Sequence, residues 1–579
     1  MRSLWRNVSL PSLAVCLGAL ALLAAGCGGS SNSGGNPSNL AKSQVFKYNL
    51  PSGGSGDIAT LDPDIVQDAN SAIVIYLTFD GLVTLDKDLN IEDWAAKSVD
   101  VSSDGLTYTF HLRDGLAFSD GTPITSKNFA YSIDRTLNPC LASPVSYYLF
   151  SIKDAQTYAS QTCKNGTITN PSGAVINSLV GDSVKTPDDK TLAITLAQPA
   201  AYFLDAMTYP TSYAVEPSVI GSDVSSEKWL GTITQGATGT GTSGMYYVQS
   251  WDHAAGKIVL KQNPHWWGLT QGKKPYLTEI DFTLFKDADT AYSAYQSGQF
   301  DVGFPTAQLV DQARNQPDFH QVGSLTYYGV DFNWTKAPFT SLDARKAFCL
   351  AINRDSLNNS VLKKTVQVHW NIVPKGMPGY NPNVTGPDGV TSTQGDPAKA
   401  MQHWNAYKAT LNGAAVPSVT YLYVAGSTAQ KQLAEALQSE WQQALGVQVS
   451  LKGEDFNTFV SDTSAGNYIA TRFGWLDDYP DPQDFLTLLF SSTAQYNSQK
   501  ASVPQADTLM AQADQEKDKT KRMQLYNQAE QLLINNVATC PMYQTLIFYQ
   551  VRQYVHNWYQ NAGATTPLDA WVATYLTNH

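Results

Sequence analysis

The nonapeptide GWLDDYPDP at 474–482 concentrates the groups in this 579-residue chain that could do chemistry. Asp477 and Asp478 stand side by side, Trp475 and Tyr479 flank them, and Pro480 and Pro482 hold the backbone in a turn. Adjacent carboxylates beside aromatic rings suit gripping a cationic, partly apolar small molecule. Asp477, Asp481 and Asp484 also suit Asx turns, in which the side chain folds back onto the backbone. The residues alone therefore do not choose between Asp477 and Asp478 as the ligand group.

Other motifs fail for want of their companions. GTGTSG at 239–244 has the spacing of a dinucleotide loop, but that mechanism needs a preceding strand and a helix N-terminus behind it. MYYVQSW follows instead, so a Gly-rich turn entering a strand is expected. SVLK at 360–363 fits the SxxK nucleophile motif without its KTG or SDN partners. No GxSxG elbow or HExxH helix occurs, and the eight His lack ligand spacing. His265 in NPHWWG reads as a polar residue beside aromatic packing. Neither an enzyme nor a metal or cofactor site is expected, an exported hydrolase being the alternative of another class.

The surrounding pattern is α/β. Leu106, Tyr108, Phe110 and Leu112 alternate with polar residues after the Asp104-Gly105 turn, and Leu192, Ile194 and Leu196 do the same. Ile280, Phe282 and Leu284 predict another strand, followed by a short helix over 289–298. Leu433, Leu437, Trp441 and Leu445 predict a helix over 431–445 ended by Gly446, and Val447, Val449 and Leu451 a strand after it. Residues 419–451 thus read as strand, helix, strand, the unit of parallel sheets. Further helices are predicted at 504–516 and at 520–535, the latter with Thr520 as N-cap. No interior linker is evident, which implies domains between which the chain crosses back and forth.

The first 27 residues carry Arg2 and Arg6, an apolar stretch at 13–25 and the small pair Gly26–Cys27. This is the pattern of a signal peptide. Its AAGC ending resembles a bacterial lipobox, which would cleave before Cys27 and attach lipid there; GGSSNSGGNPSN then suits a flexible tether. No later stretch approaches the roughly 20 apolar residues of a spanning helix. Thirty-eight basic and fifty acidic residues give a net charge of −12, the wrong sign for a nucleic-acid partner. Beyond Cys16 and Cys27, four cysteines remain for an oxidising compartment. Cys140 and Cys163 would close a short loop, leaving Cys349 and Cys540, although Cys349 equally suits a buried free thiol.

Several blocks together resemble a known family. LDP at 61–63, the long block FDGLVTLDKDLNIEDWAAKSVDVSSDGLTYTFHLRDGLAFSDGTPITSKNFAYSI at 79–133, TSGMYYVQSW at 242–251 and KQNPHWWG come first. YYGVDFNWTKAPFTSLDARKAFCLAINRDSL at 327–357, IVPKGMPGY at 372–380 and GWLDDYPDP with Phe485-Leu486 complete the series. The chain resembles the family 5 extracellular solute-binding proteins of ABC importers, the oligopeptide- and dipeptide-binding group. Met245 stands where that family usually has Pro.

The resemblance implies an α/β, two-lobed type II periplasmic-binding fold with mixed sheets and an extra subdomain in the first lobe. It implies a signal peptide over 1–26, a tether over 27–44, lobe 1 from 45–72, 185–305 and 535–579, the extra subdomain over 73–184, and lobe 2 over 306–534. Asp478 would pair with a peptide's α-ammonium, Trp475 would line a side-chain pocket and Tyr479 would buttress it. Gln67, Asp68 and Ala69 would offer backbone groups to an extended peptide. Arg345 and Arg354 read as helix-surface residues making salt bridges. The implied protein is a monomeric, lipid-anchored receptor on the outer face of the cytoplasmic membrane, which binds a peptide and delivers it to the importer's membrane subunits. Oligosaccharides, metal chelates and opines are the alternative cargo, and a sensor role is a further possibility.

Overall fold

Alternating apolar residues build the sheets where the pattern predicts them. In the computed structural model, which describes residues 39–51, 57–225, 227–494 and 496–579, the Glu279–Phe285 strand buries Ile280, Phe282 and Leu284. It lies between a parallel neighbour, Val45–Pro51, and an antiparallel one, Lys257–Gln262, which Tyr246–Asp252 follows at the edge. A second four-stranded sheet orders Ala96–Val101, Thr107–Leu112, Thr191–Thr195 and Val184–Asp188, all antiparallel. The signal and residues 27–38 of the expected tether, Cys27 included, lie outside the described residues, whereas Ala41 and Gln44 at its end are hydrogen-bonded to Leu576, so the tether does not reach 44.

The third sheet is mixed and has eight strands. Val419–Val424 and Val449–Glu454 pair in parallel across the Thr428–Leu445 helix, which is the expected strand–helix–strand unit. Ser427 caps that helix through Gln430 N–H, Gly446 ends it at φ 69°, and Leu433, Leu437, Trp441 and Leu445 are buried. The Lys519–Asn535 helix is capped by Asp518, whose side chain accepts from Lys521 N–H, and not by Thr520. A carboxylate two residues earlier supplies the same acceptor. The Gly-rich run at 239–244 enters the Tyr246–Asp252 strand, as its sequel requires.

Two large hydrophobic cores result. The first takes residues from Phe46 to Leu284 and from Tyr549 to Leu576, and the second runs from Leu325 to Tyr543 with Leu89 added. The chain crosses between them after Val302 and returns along one continuous strand, Cys540–Val551. Cys540, Met542 and Tyr543 belong to the second core and Tyr549 and Val551 to the first, so the return crossing falls inside this strand and not at 535. Likewise, Thr191–Thr195 pairs with Thr107–Leu112 and Val184–Asp188 pairs in turn with Thr191–Thr195, which carries that four-stranded sheet past 184 to Thr195. Backbone pairing sets both limits, and the sequence blocks do not reveal it.

Cys140 and Cys163 are bonded, with Cα atoms 5.0 Å apart, as are Cys349 and Cys540, at 5.5 Å. Among the described residues no helix is long and apolar enough to cross a membrane.

Candidate functional site

The end of one strand delivers the acidic turn. Ala470–Leu476 pairs antiparallel with Thr326–Phe332, which sets Trp475 opposite Tyr327 and Leu476 opposite Thr326. The register continues one step further, where Asp477 N–H donates to Leu325 O at 3.0 Å. Beyond it, two aspartates hold the turn. Asp481 takes both terminal nitrogens of Arg522 at 2.6 Å, nearly out of solvent, and caps the Pro482–Phe485 helix through Gln483 N–H. Asp484 is fully buried and accepts from Asp478 N–H at 3.0 Å and from Trp475 Nε1–H at 3.2 Å.

Asp477 and Asp478 are thereby left to face a cavity of about 330 Å³, a size that suits a small molecule. Gln67, Asp68, Ala69, Tyr76 and Tyr209 also line it, and the segment between Cys140 and Cys163 adds Tyr147 and Tyr148. A C-terminal loop, Gly563 to Leu568, closes another side. Three carboxylates, those of Asp68, Asp477 and Asp478, line this space, and none of its lining residues is Lys, Arg or His. Ionised, these groups make the potential inside negative, and an entering cation would be drawn in.

Tyr147 donates its phenolic O–H to Asp478 Oδ2 at 3.0 Å. Burial pushes the Asp478 carboxyl up to about 6, while hydrogen bonds from Tyr148 and Tyr147 pull it back. Asp477 is pushed further, to about 8, by burial and then by the neighbouring charge of Asp478. Each carboxylate is thus held in a state that an arriving cation would relieve.

The expected residues divide between cavity and support. Asp478, Tyr479, Gln67, Asp68 and Ala69 all line the cavity. Tyr479 stacks on Tyr202 with ring centroids 6.0 Å apart and donates to Gln483. Asp68 is the N-cap of the Ala69–Thr78 helix, accepting from Ser71 N–H at 2.9 Å, so only the segment before it stays outside the helix for main-chain pairing. Trp475 does not line the cavity. Side chains alternate along a strand, and its ring lies against Phe473 and Tyr496 with its N–H spent on Asp484.

Arg345 and Arg354 are buried, not surface residues making salt bridges. Arg345 lies over the Trp334 ring and donates to Phe339 O, while Arg354 lies over Trp370 and donates to Pro541 O and Cys540 Sγ. Lack of any carboxylate in contact leaves burial to lower both, to about 10 and about 9. The tyrosine wall, by contrast, escaped sequence reading. Tyr147, Tyr148 and Tyr209 form a ladder with centroid spacings of 4.6 and 4.0 Å. The YY pair at 147–148 beside Cys140 was the only local signal, and nothing in its spacing ties it to Asp478.

An acidic aromatic cavity of this kind between two cores suits holding a ligand. Among the described residues no group of His, Cys, Asp and Glu is placed to hold a metal. Over residues 90–497 the sequence matches the middle region of the bacterial extracellular solute-binding proteins, family 5. The chain belongs to this family. It is an extracytoplasmic solute-binding protein with the two-lobed periplasmic-binding fold.

Family members with known roles agree in extent as well as in sequence. The chain is 28% identical over 553 residues to the oligopeptide-binding protein OppA of Bacillus subtilis (strain 168), covering 94% of each. It is 28% identical over 521 residues to the probable deoxycholate-binding periplasmic protein YgiS of Escherichia coli (strain K12), covering 89% of this chain and 91% of that one. Among solved structures it is similar to the substrate-binding domain of an oligopeptide ABC transporter from Bacillus anthracis str. Ames. There the TM-score is 0.67, with 26% identity over 93% of this chain and 100% of that one. That domain therefore shares nearly the whole fold described above.

Proposed function

We propose that this protein captures peptides in the cavity beneath Asp478 and delivers them to the membrane subunits of an ABC importer. The observation that carries the reading is an enclosed carboxylate, oriented by Tyr147 and Asp484, in a cavity with no cationic lining residue. A peptide's α-ammonium supplies the missing charge. Breaking such a pair by removing one partner costs roughly 3–5 kcal/mol, two to three decades of affinity. Aromatic walls made of tyrosine accept varied side chains at small entropic cost. The likeness to an oligopeptide-binding protein over 94% of both chains points the same way.

The same charge disfavours other cargo. A bile-acid anion such as the deoxycholate for which the Escherichia coli relative is named would meet three carboxylates here. A neutral oligosaccharide would leave them unpaired, at the desolvation cost of buried charge. The chain works as a binding protein and not an enzyme, as a monomer whose lobes close over the ligand. Cys27 carries the lipid that holds it on the outer face of the membrane, with the Gly/Ser-rich residues before Ala41 as tether. The extra subdomain runs from 73 to Thr195, lobe 1 comprises 45–72, 196–305 and the C-terminal part of 535–579, and lobe 2 begins at 306.

Native mass spectrometry of the purified protein tests the cargo, because enclosed ligands often survive purification. A set of added masses matching peptides is the expected result. A hexose oligomer, a steroid or a metal chelate in their place would overturn it.

A further inference from the structure

The four aspartates of the turn do not have equal company. Asp481 is matched by Arg522, and Asp484 by two N–H donors. Asp478 has the phenols of Tyr147 and Tyr148. The carboxylate of Asp477 receives no hydrogen bond from any other described residue, yet it lines the cavity beside Asp478. Its backbone N–H is fixed on Leu325 O, and its side chain points toward Gly563, where an added Cβ would stand 3.8 Å from Asp477 Oδ2. Asp68 repeats the theme elsewhere in the lining. Its Oδ1 caps a helix, while its Oδ2 is buried without a partner.

One α-ammonium balances one of these three charges. Unpaired carboxylates enclosed with it make a ligand with a second cation a better match, and tyrosine faces at Tyr76 and Tyr209 favour that cation further. Burial and the neighbouring Asp478 charge push Asp477 up to about 8, so a cation placed beside it would favour loss of its proton and pair with the carboxylate.

Resting on the peptide reading above, we propose that Asp477, aided by Asp68, makes the cavity selective for peptides whose first residue carries a side-chain ammonium or guanidinium. A ligand's own carboxylate has no cation to meet among the lining residues, so the C-terminal end of the peptide contributes little to recognition.

Calorimetry with Lys-Ala-Ala and its uncharged isostere norleucine-Ala-Ala tests this directly. The native protein is expected to prefer the lysine peptide at least 10-fold, and Asp477→Asn to bring the ratio close to one. Equal affinities in the native protein, or a preference that survives Asp477→Asn, would overturn the inference while leaving the peptide reading in place. Binding of neither peptide would instead defeat the peptide reading. The pair 1,5-diaminopentane and pentylamine then decides: a preference of at least 10-fold for the diamine, lost in Asp477→Asn, supports the second-cation site, and anything less overturns it.

Discussion

Tyr147 reaches across the cavity to Asp478, its phenol 3.0 Å from Oδ2. The bond joins parts of the chain 331 residues apart and sets the direction of the carboxylate. Tyr147→Phe removes the donor and keeps the ring. Hydrogen bonds to charged groups contribute about 1.5–3 kcal/mol, so affinity for a peptide should fall by roughly one to two decades. Calorimetry reads this, and the loss should grow as pH falls toward 6, because Asp478 without the phenol protonates more readily.

The cavity carboxyls also set a pH dependence with a definite sign. Their folded pKa values, about 6 for Asp478 and about 8 for Asp477, lie above the ordinary 3.8. Stability from these two groups is therefore full below about pH 4 and is lost as pH rises through 6 and then 8. The groups facing them are Tyr76, Tyr147, Tyr148, Tyr209 and Asp484, and none is a cation. Thermal melts of the ligand-free protein should show Asp477→Asn flattening the fall between pH 6 and 8. Peptide affinity should run oppositely, rising over the same range as the carboxylates ionise.

Neighbouring aspartates should respond in opposite ways. Asp481→Ala strands the buried Arg522 and should cost roughly 3–5 kcal/mol of stability. Asp478→Asn relieves a buried charge and should leave the melting temperature unchanged or raised. Denaturant titration of the two variants side by side checks the contrast.

The disulfides brace different parts of the molecule. Cys140–Cys163 closes a loop with a sequence separation of 23, and its loss by Cys→Ser replacement should cost about 3 kcal/mol on chain-entropy reasoning. Since that loop includes Tyr147 and Tyr148, the same variant should bind peptide more weakly. Reduction followed by a melt and a binding titration separates the two effects.

Much of the fold is written in local pattern. The helix at 428–445 and the strands around it follow from four apolar residues at fixed spacing and a terminal glycine. Domain limits are another matter, since Thr191–Thr195 belongs with Thr107–Leu112 only through pairing across some 80 residues. The site divides similarly. Asp478 stands out through its motif, but the roles of Asp481 and Asp484 depend on Arg522 and on a main-chain N–H that only the folded turn presents. Trp475 shows the same limit, because facing the cavity or the second core is decided by strand register. Tyr147 and Tyr148 come from a distant loop and carry no local mark of their task.

The central claim is that Asp478 receives a ligand's α-ammonium, and a calorimetric cycle tests it most directly. Native protein and Asp478→Asn are each titrated with Ala-Ala-Ala and with its N-acetylated form. Each single change should weaken binding by about two to three decades, and the two together by no more than either alone. An acetylated peptide that binds the native protein as tightly as the free one, or two losses that simply add, would contradict the account.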